Sequence, residues 1–437
     1  MIRYFSKPKL MSQMLCFPES IPKEKAALSS CKSLKLMLTK GLIKHVSPGT
    51  FVLMPLVVQS VEKLCCLIDS LMAKADGQKV LFPSLIPKKL MKISGRWNTI
   101  DSLFKLTDRS SIEHCLGPTH EEIAHHLLSK YCMSYKSLPL KLYQISSKFR
   151  DEMNPKLGLL RGREFLMKDM YAFDSSEETS QCTYEQMCKL YNELLSEHLN
   201  IEPIKVQASS GDIGGKKSHE FHFKSEIGED EILFCPSCKT GINVEIVTDI
   251  GDGKCSDCDM PLQKCNALEV GHAFMLGTTY SEPFQVKFDS SENQSVNCFA
   301  SCYGLGVTRI LTACLENLST SSDLRWPLSI APFYLSIISP KKNSKEEHAR
   351  PFSNHIADSL NNIDSLAGNI IIDDRTNLTI GKRVQECSEL GIPYIIVVGK
   401  HALKDVPKFE IIDVYRNQTI FLSHKETMEM FKYNVLF

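Results

Sequence analysis

Residues 143–174, YQISSKFRDEMNPKLGLLRGREFLMKDMYAFD, constrain the fold of this chain more than any other stretch. The runs YQISSKFRDE and REFLMKDMYAF read as strands. The connection between them carries Pro155, Gly158 and Gly162, which predicts a β-hairpin with a long loop. Arg150, Arg161 and Arg163 stand with Glu152 and Glu164 around that loop. Arginine presents a planar fork suited to phosphate or carboxylate. Read alone, the cluster is equally a salt-bridged hairpin, because surface ion pairs are common and individually weak.

Two other stretches carry chemistry. In 301–316, SCYGLGVTRILTACLE, Gly304 and Gly306 precede a helix with Ile310, Leu311 and Leu315 on one face and Arg309 in its first turn. A third glycine and a following acid are missing, so this is not a dinucleotide fingerprint. Its rival reading is tight helix–strand packing. In 116–122, LGPTHEE, an acid beside a hydroxyl suits an ammonium group. The same residues also read as a helix start, with Thr119 as cap and Glu122 completing a capping box.

Around these stretches the pattern is mixed. Residues 53–74 have apolar side chains at helical spacing, predicting a long amphipathic helix from near Pro55. Residues 79–85, KVLFPSL, read as a strand whose Pro83 points to an edge or an interface. Residues 326–332, with two prolines, look like a boundary. Beyond it strands at 333–338, 369–373 and 394–398 alternate with helices at 345–363 (weakened by Pro351) and 379–390. A hairpin at 410–422 and a helix at 424–432 follow. Such alternation predicts a compact α/β domain with a mainly parallel sheet.

Composition excludes other classes. A chain of 437 residues exceeds one ordinary core, so two or three domains are expected. Fifty-one basic and fifty-one acidic residues cancel, which argues against a protein that coats nucleic acid non-specifically. No apolar run approaches the roughly 18 residues of a membrane span, so no membrane partner is expected. Seventeen cysteines, an odd number scattered through the elements, suggest free thiols in a reducing compartment. Residues 1–18 contain Arg3, Lys7 and Lys9 with two serines and no acid. That is the composition of an organelle transit peptide and also of a flexible basic tail.

Taken together, the motifs resemble class II aminoacyl-tRNA synthetases. FRDE at 149–152 with RGREF at 161–165 is similar to motif 2 of that class. GLGVTR at 304–309 is similar to motif 3, and the long helix with KVLFPSL to motif 1, Pro83 being its proline. SGRW (94–97), GPTHEE (117–122), RGREFLMKDMYAFD (161–174), EVGHAF with LG (269–277) and CYGLGVTR (302–309) narrow the resemblance to prolyl-tRNA synthetases of the bacterial and organellar type. It runs from about residue 30 to the end.

The resemblance implies an α+β catalytic domain over 31–326, built on an antiparallel sheet with flanking helices. An α/β anticodon-binding domain over 327–437 would follow it. Residues 1–30 would be the transit peptide or tail. It implies ATP-dependent ligation of L-proline to tRNA(Pro) through a prolyl-adenylate, by a homodimer in the mitochondrial matrix, with ATP and Mg²⁺. Arg150 would bridge the substrate carboxylate and the α-phosphate, Glu152 would hold the adenine amino group and Phe165 would stack on adenine. Arg161 would join the ATP site, and Arg309 would contact the γ-phosphate. Thr119 and Glu121 would receive the imino group. Glu269 and His272 would contact ATP and Mg²⁺, and Phe274 would line the prolyl pocket. Arg375, Lys382 and Arg383 would face the anticodon loop, where bases are single-stranded. The rival for each of those three is an ordinary solvated charge.

Departures from the family pattern are Ser301 for glycine, expected to narrow the prolyl pocket, Thr279 for lysine and Met91 for tryptophan. The span from Asp174 to Ser301 is too short for the editing insertion of bacterial relatives, so no editing of misactivated alanine in cis is expected. Within it, Cys235, Cys238, Cys255 and Cys258 form two CxxC pairs, in a short segment at 235–265. That spacing matches a structural zinc ribbon, with remnants of the lost insertion as the rival. Two further readings stand beside the main one: a class II synthetase of another specificity, and a non-catalytic synthetase-like tRNA-binding subunit. The latter should have lost Arg150, Glu152 and Arg309, which this chain keeps.

Overall fold

A computed structural model of the chain describes residues 7–16, 18, 31–131, 133–247 and 253–433. It has two compact units. One comprises His45–Phe51 and Leu64–Ala313, the other Met1–Lys44, Val52–Lys63 and Cys314–Phe437. Among the described residues no helix is long and apolar enough to cross a membrane, and every cysteine is a free thiol.

The first unit is built on a nine-stranded sheet. Its strands are β1 (Gln78–Lys79), β2 (Leu140–Phe149), β3 (Glu164–Asp174), β4 (Ile204–Gln207), β5 (Lys217–Lys224), β6 (Asp230–Phe234), β7 (Thr240–Asn243), β8 (Gln263–Gly277) and β9 (Phe299–Gly306). They lie in the order β5-β4-β7-β6-β8-β9-β3-β2-β1. The expected hairpin is β2–β3, antiparallel from Glu164 opposite Phe149 to Phe173 opposite Leu140. β8 is long enough to serve two partners on one edge. Gln263–Ala267 pairs with β6, and Ala267–Met275 with β5. Its other edge pairs with β9. Because β5 also pairs with β4, and β4 with β7, the short segment between β3 and β9 closes on itself.

One face of the sheet packs on a core that includes Phe82, Trp97, Tyr171, Phe173, Phe274 and Phe284. Each such ring contributes about 1.5–3 kcal/mol by leaving water. Helix α1 (Pro55–Lys74) begins at the expected proline and buries Val57, Val61, Leu64, Ile68 and Leu71 at helical spacing.

Residues 79–85 do not form the expected strand. Pairing stops at Lys79 and resumes in a separate strand at Leu85–Pro87. Between them the Val80 N–H donates to Tyr143 O at 2.8 Å and the Phe82 N–H to Gln144 Oε1 at 3.0 Å. Pro83 has no N–H to continue the ladder. Thr119 does not cap helix α2 (Glu121–Leu128) either. His120 occupies the N-cap without a side-chain bond, because Thr119 and Glu122 are engaged elsewhere.

The second unit carries the expected α/β sheet. β10 (Leu335–Ile338), β11 (Ile370–Asp373) and β12 (Tyr394–Val397) are parallel, and β13 (Lys408–Asp413) and β14 (Gln418–Ser423) extend them antiparallel. α3 (Val307–Leu318), α4 (Arg350–Asn361), α5 (Ile380–Glu389) and α6 (His424–Tyr433) are its neighbours in sequence. Pro351 does not weaken α4. It sits in the first turn, where its missing N–H costs nothing and its fixed φ favours the helix.

Residues 9–13 were expected to be transit peptide or loose tail, yet in the structure they are packed. Lys9–Leu10 adds a parallel edge strand to β11. The Ser12 backbone N–H and hydroxyl both donate to the Asp374 carboxylate, at 3.0 and 2.6 Å.

Candidate functional site

The hairpin, the loop before α2, β8 and β9 converge on one cleft of about 360 Å³ in the first unit. It is lined by Thr119, Glu121, Arg150, Glu152, Phe165, Glu269, His272, Phe274 and Arg309, most of the residues singled out from sequence.

Arg150 leaves the end of β2, with its guanidinium carbon 5.3 Å from the Phe165 ring centre. Among the described residues no carboxylate lies within 4.0 Å of that guanidinium, although Glu152 and Glu269 are in its surroundings. Burial and the positive Arg309 lower its proton affinity. Two arginines that repel each other without a direct counter-ion on Arg150 form a place for an anion. Arg309, in the first turn of α3, donates to Leu160 O at 3.0 Å and to the Glu269 carboxylate at 2.8 Å.

The loop between β2 and β3 is pinned where Arg163 N–H donates to Gly49 O at 2.8 Å. Gly49 has φ +79°, and a Cβ there would lie 2.8 Å from Pro155 Cβ. Only glycine fits without strain. Within the loop Glu152 is bound by Arg161 at 3.0 Å, and Arg161 also reaches Glu229 at 2.8 Å. Arg161 thus supports Glu152 and lines an adjoining cavity of about 230 Å³ that shares Arg150, Glu152, Glu269 and Arg309 with the main cleft. The two glycines of the motif differ: a Cβ at Gly304 would meet nothing nearer than 3.9 Å, so packing does not require glycine there, whereas one at Gly306 would lie 3.2 Å from Arg309 Cβ.

At the other end of the cleft lies a cluster that sequence reading found only in part. Glu121 accepts from Arg96 at 2.9 Å and from Thr119. Arg96 also reaches Glu122 at 3.1 Å, and Ser94 donates to Glu122 at 2.7 Å. Burial would raise the Glu121 carboxyl, but Arg96 holds it below its ordinary value. Burial raises the neighbouring Glu122 carboxyl, so Glu121 is the acid held ionised at this end of the cleft, an acceptor that suits a cationic group. Arg96 lies in the SGRW motif but had no role assigned. A lone arginine followed by a tryptophan carries no local signal of two glutamates about 25 residues away.

Beneath the cleft, Asp169 forms an ion pair with Lys148 at 2.7 Å and accepts from Tyr171 at 2.7 Å and Gln144 at 3.0 Å. Tyr171 in turn accepts from the His120 N–H at 2.6 Å. The polar positions of β2 and β3 that form this floor read in sequence only as strand residues.

Ser301 does not narrow the cleft. It is buried, accepts from the Tyr303 hydroxyl at 2.9 Å, and is absent from the lining. Its neighbours Cys302 and Tyr303 line the cleft instead.

His272 stacks on Phe274 with centroids 3.8 Å apart and bonds Glu269 at 3.2 Å and Ser218 at 2.7 Å. Burial opposes ionisation of Glu269, but His272 and Arg309 hold its carboxyl well below the usual range. Glu220, missed in the sequence, joins them. It is held by His222 at 2.7 Å and Asn243 at 3.2 Å. One ligand atom each of Glu220, Glu269 and His272 fall within 4.8 Å of one another. Two carboxylates suit a hard divalent cation that shares phosphate oxygens. His272 fits better as the residue that orients Glu269.

The basic residues of the second unit are placed otherwise. Arg375 is bound to Asp373 at 2.7 Å and Glu386 at 2.7 Å. Arg383 is fully buried and donates to Asp373 O at 3.1 Å, so it cannot face an external ligand. Lys382 is exposed. The four cysteines gather apart from the cleft lining, their sulfurs all within 4.8 Å of one another. Pro83 is exposed, next to Leu81 with 81% of its surface accessible.

Known proteins with the same features are numerous. A family profile described as the tRNA synthetase class II core domain (G, H, P, S and T) matches residues 104–318, and an anticodon binding domain profile matches 335–434. A protein named probable mitochondrial proline–tRNA ligase in Rattus norvegicus is 46% identical over 404 residues, covering 92% of this chain and 85% of its own. The corresponding protein of Schizosaccharomyces pombe is 36% identical over 369 residues, 84% of this chain and 85% of its own. The Giardia lamblia prolyl-tRNA synthetase in complex with prolyl-adenylate shares the fold, with TM-score 0.77 and 22% identity over 94% of this chain and 76% of that one.

Proposed function

This chain belongs to the class II proline–tRNA ligases, and we propose from that premise how its cleft performs ligation in mitochondria, in the matrix. The carrying observation is Arg150, which has no direct counter-ion among the described residues, placed between an acidic pocket and a second arginine. L-Proline enters with its imino group on Glu121 and Thr119 and its ring against Phe274 and Cys302. Its carboxylate meets Arg150. ATP lies with adenine on Phe165 and its amino group near Glu152, and Arg309 takes the terminal phosphates.

The carboxylate then attacks the α-phosphate in line and expels pyrophosphate. Charge grows on phosphate oxygens, and arginines already fixed in place stabilise it without rearranging. Holding two anionic reactants together supplies much of the remaining acceleration. Glu220 and Glu269 would hold Mg²⁺, which would supply charge neutralisation for the phosphates. The terminal ribose hydroxyl of tRNA(Pro) attacks the adenylate next. No protein nucleophile is required.

Lys382 is the member of the basic trio available to the anticodon loop. Leu81, Pro83 and Leu85 offer an apolar strip for a second copy of the chain, giving a homodimer. Arg150→Ala tests the core of this reading: proline-dependent ATP–pyrophosphate exchange should fall by about 10²–10³-fold while the thermal transition is kept. Unchanged exchange would remove Arg150 from the mechanism.

A further inference from the structure

The cysteine cluster consists of two knuckles with one design. In the first, the Cys235 N–H donates to Thr240 O at 2.8 Å and the Lys239 N–H to Cys235 O at 3.0 Å. In the second, the Cys255 N–H donates to Met260 O at 2.9 Å and the Asp259 N–H to Cys255 O at 3.0 Å. The residue after each second cysteine, Lys239 and Asp259, has φ +57°. Neither is glycine, so both knuckles hold a left-handed turn that an ordinary residue adopts only at a cost. The same costly turn occurs twice, twenty positions apart, and each time points two sulfurs at the other pair.

The sulfurs meet at a common centre. Cys235 and Cys258 are 3.5 Å apart, Cys238 and Cys258 3.3 Å, and Cys238 and Cys255 3.9 Å. Bonds of about 2.3 Å to a tetrahedral ion place thiolate sulfurs about 3.8 Å apart. The Cys238 N–H also donates to Cys235 Sγ at 3.4 Å, a bond that favours a thiolate there. Cys235 and Cys255 are buried, while Cys238 and Cys258 reach the surface, which gives an ion a path in.

We propose that Cys235, Cys238, Cys255 and Cys258 bind one zinc ion as four thiolates, and that this ion clamps β7, whose Asn243 holds Glu220, to β8, which carries Glu269. The first knuckle joins β6 to β7, and β7 ends at Asn243, whose amide holds Glu220 at 3.2 Å. The second knuckle leads into β8, which carries Glu269 and His272 and pairs with β6 from Phe234 opposite Gln263. An ion tying the knuckles together therefore fixes the ends of the two strands that set Glu220 and Glu269. Four protein ligands leave no open position, so the ion is structural and takes no part in the chemistry.

The test begins with metal content of the full chain purified under reducing conditions without added metal. Expected is one zinc per chain, released in step with mercurial titration of four thiols. Iron in its place, or no metal with four freely reactive thiols or two disulfides, overturns the site. That measurement needs no activity and does not depend on the functional reading. The variant Cys238→Ser/Cys258→Ser should lose the zinc. Its KM for Mg–ATP in pyrophosphate exchange should rise about tenfold, the effect of losing an outer support of a metal ligand, with kcat changing much less. A zinc-free variant with unchanged KM overturns the clamp. If the variant does not fold, zinc release from the native chain still decides the site.

Discussion

Arginine motifs mark both units of this molecule, and the structure uses them in opposite ways. In the cleft of the first unit, Arg150 has no carboxylate at ion-pair distance among the described residues and lines the space beside a second arginine. In the second unit, Arg375 spends its fork on Asp373 and Glu386, and Arg383 is sealed in the interior. The same residue type at similar motif density is a ligand group in one place and a structural one in the other. What separates them is whether the chain supplies its own counter-ion. An arginine already neutralised gains little from an external anion, whereas one short of a partner gains the full charge-assisted bond.

The largest effect should come from the unpaired arginine. Arg150→Ala should lower proline-dependent exchange by about 10²–10³-fold, the magnitude of removing one preorganised donor from a developing oxyanion. Thermal unfolding should barely move. Arg96→Ala comes next and breaks the contrast from the other side, because Arg96 is neutralised within the chain and yet serves the cleft. Its loss leaves Glu121 and Glu122 buried against each other. About 3–5 kcal/mol of stability should go with it, read by denaturant unfolding.

In the second unit the effects should be smaller and of another kind. Arg383 has two buried nitrogens without a partner among the described residues. Arg383→Met should therefore shift unfolding by less than about 1.5 kcal/mol and leave exchange intact. Abolished tRNA charging by that variant, with the fold kept, would break the comparison. Lys382→Ala should reduce kcat/KM for tRNA by roughly threefold to tenfold, one surface cation's worth, with exchange unaffected.

The effect that leaves the cleft chemistry untouched is titration of two buried histidines, His120 beside the floor and His125 on α2, packed against Phe173 and Tyr280. Burial pushes His120 and His125 down to about 4. In the unfolded chain both bind protons near pH 6.5, so between about pH 6.5 and 4 the unfolded state holds more protons. Stability should therefore fall as pH drops through that window, by about 1–3 kcal/mol at each site, and level off below it. A flat unfolding free energy from pH 7 to 4 would contradict neutral burial of these rings.

The sequence made the framework legible where pattern and chemistry coincide. The β2–β3 hairpin, α1 and the alternation in the second unit follow from strand and helix periods, and the cleft from residues whose order matches a family. Less legible was anything set by distance in the chain. Arg96 meets Glu121 and Glu122, and Glu220 meets His222 and Asn243, only once the sheet is folded. The capping box at Thr119 was locally sound and lost to a tertiary competitor, Arg96, which takes both Thr119 and Glu122. Ser301 was given to the cleft on motif alignment, but it is buried against the Tyr303 hydroxyl, and Cys302 and Tyr303 line the cleft instead. Arg383 looked like a surface charge because nothing local tells a buried helical arginine from an exposed one.

The most direct test of the account is ATP–pyrophosphate exchange by the purified full chain, run with each of the twenty amino acids in turn. The account predicts exchange dominated by proline, with weak activity for alanine, because a few missing methylenes are worth only about 1–3 kcal/mol each. Exchange led by another amino acid, or none from a folded chain that still binds tRNA, would contradict it.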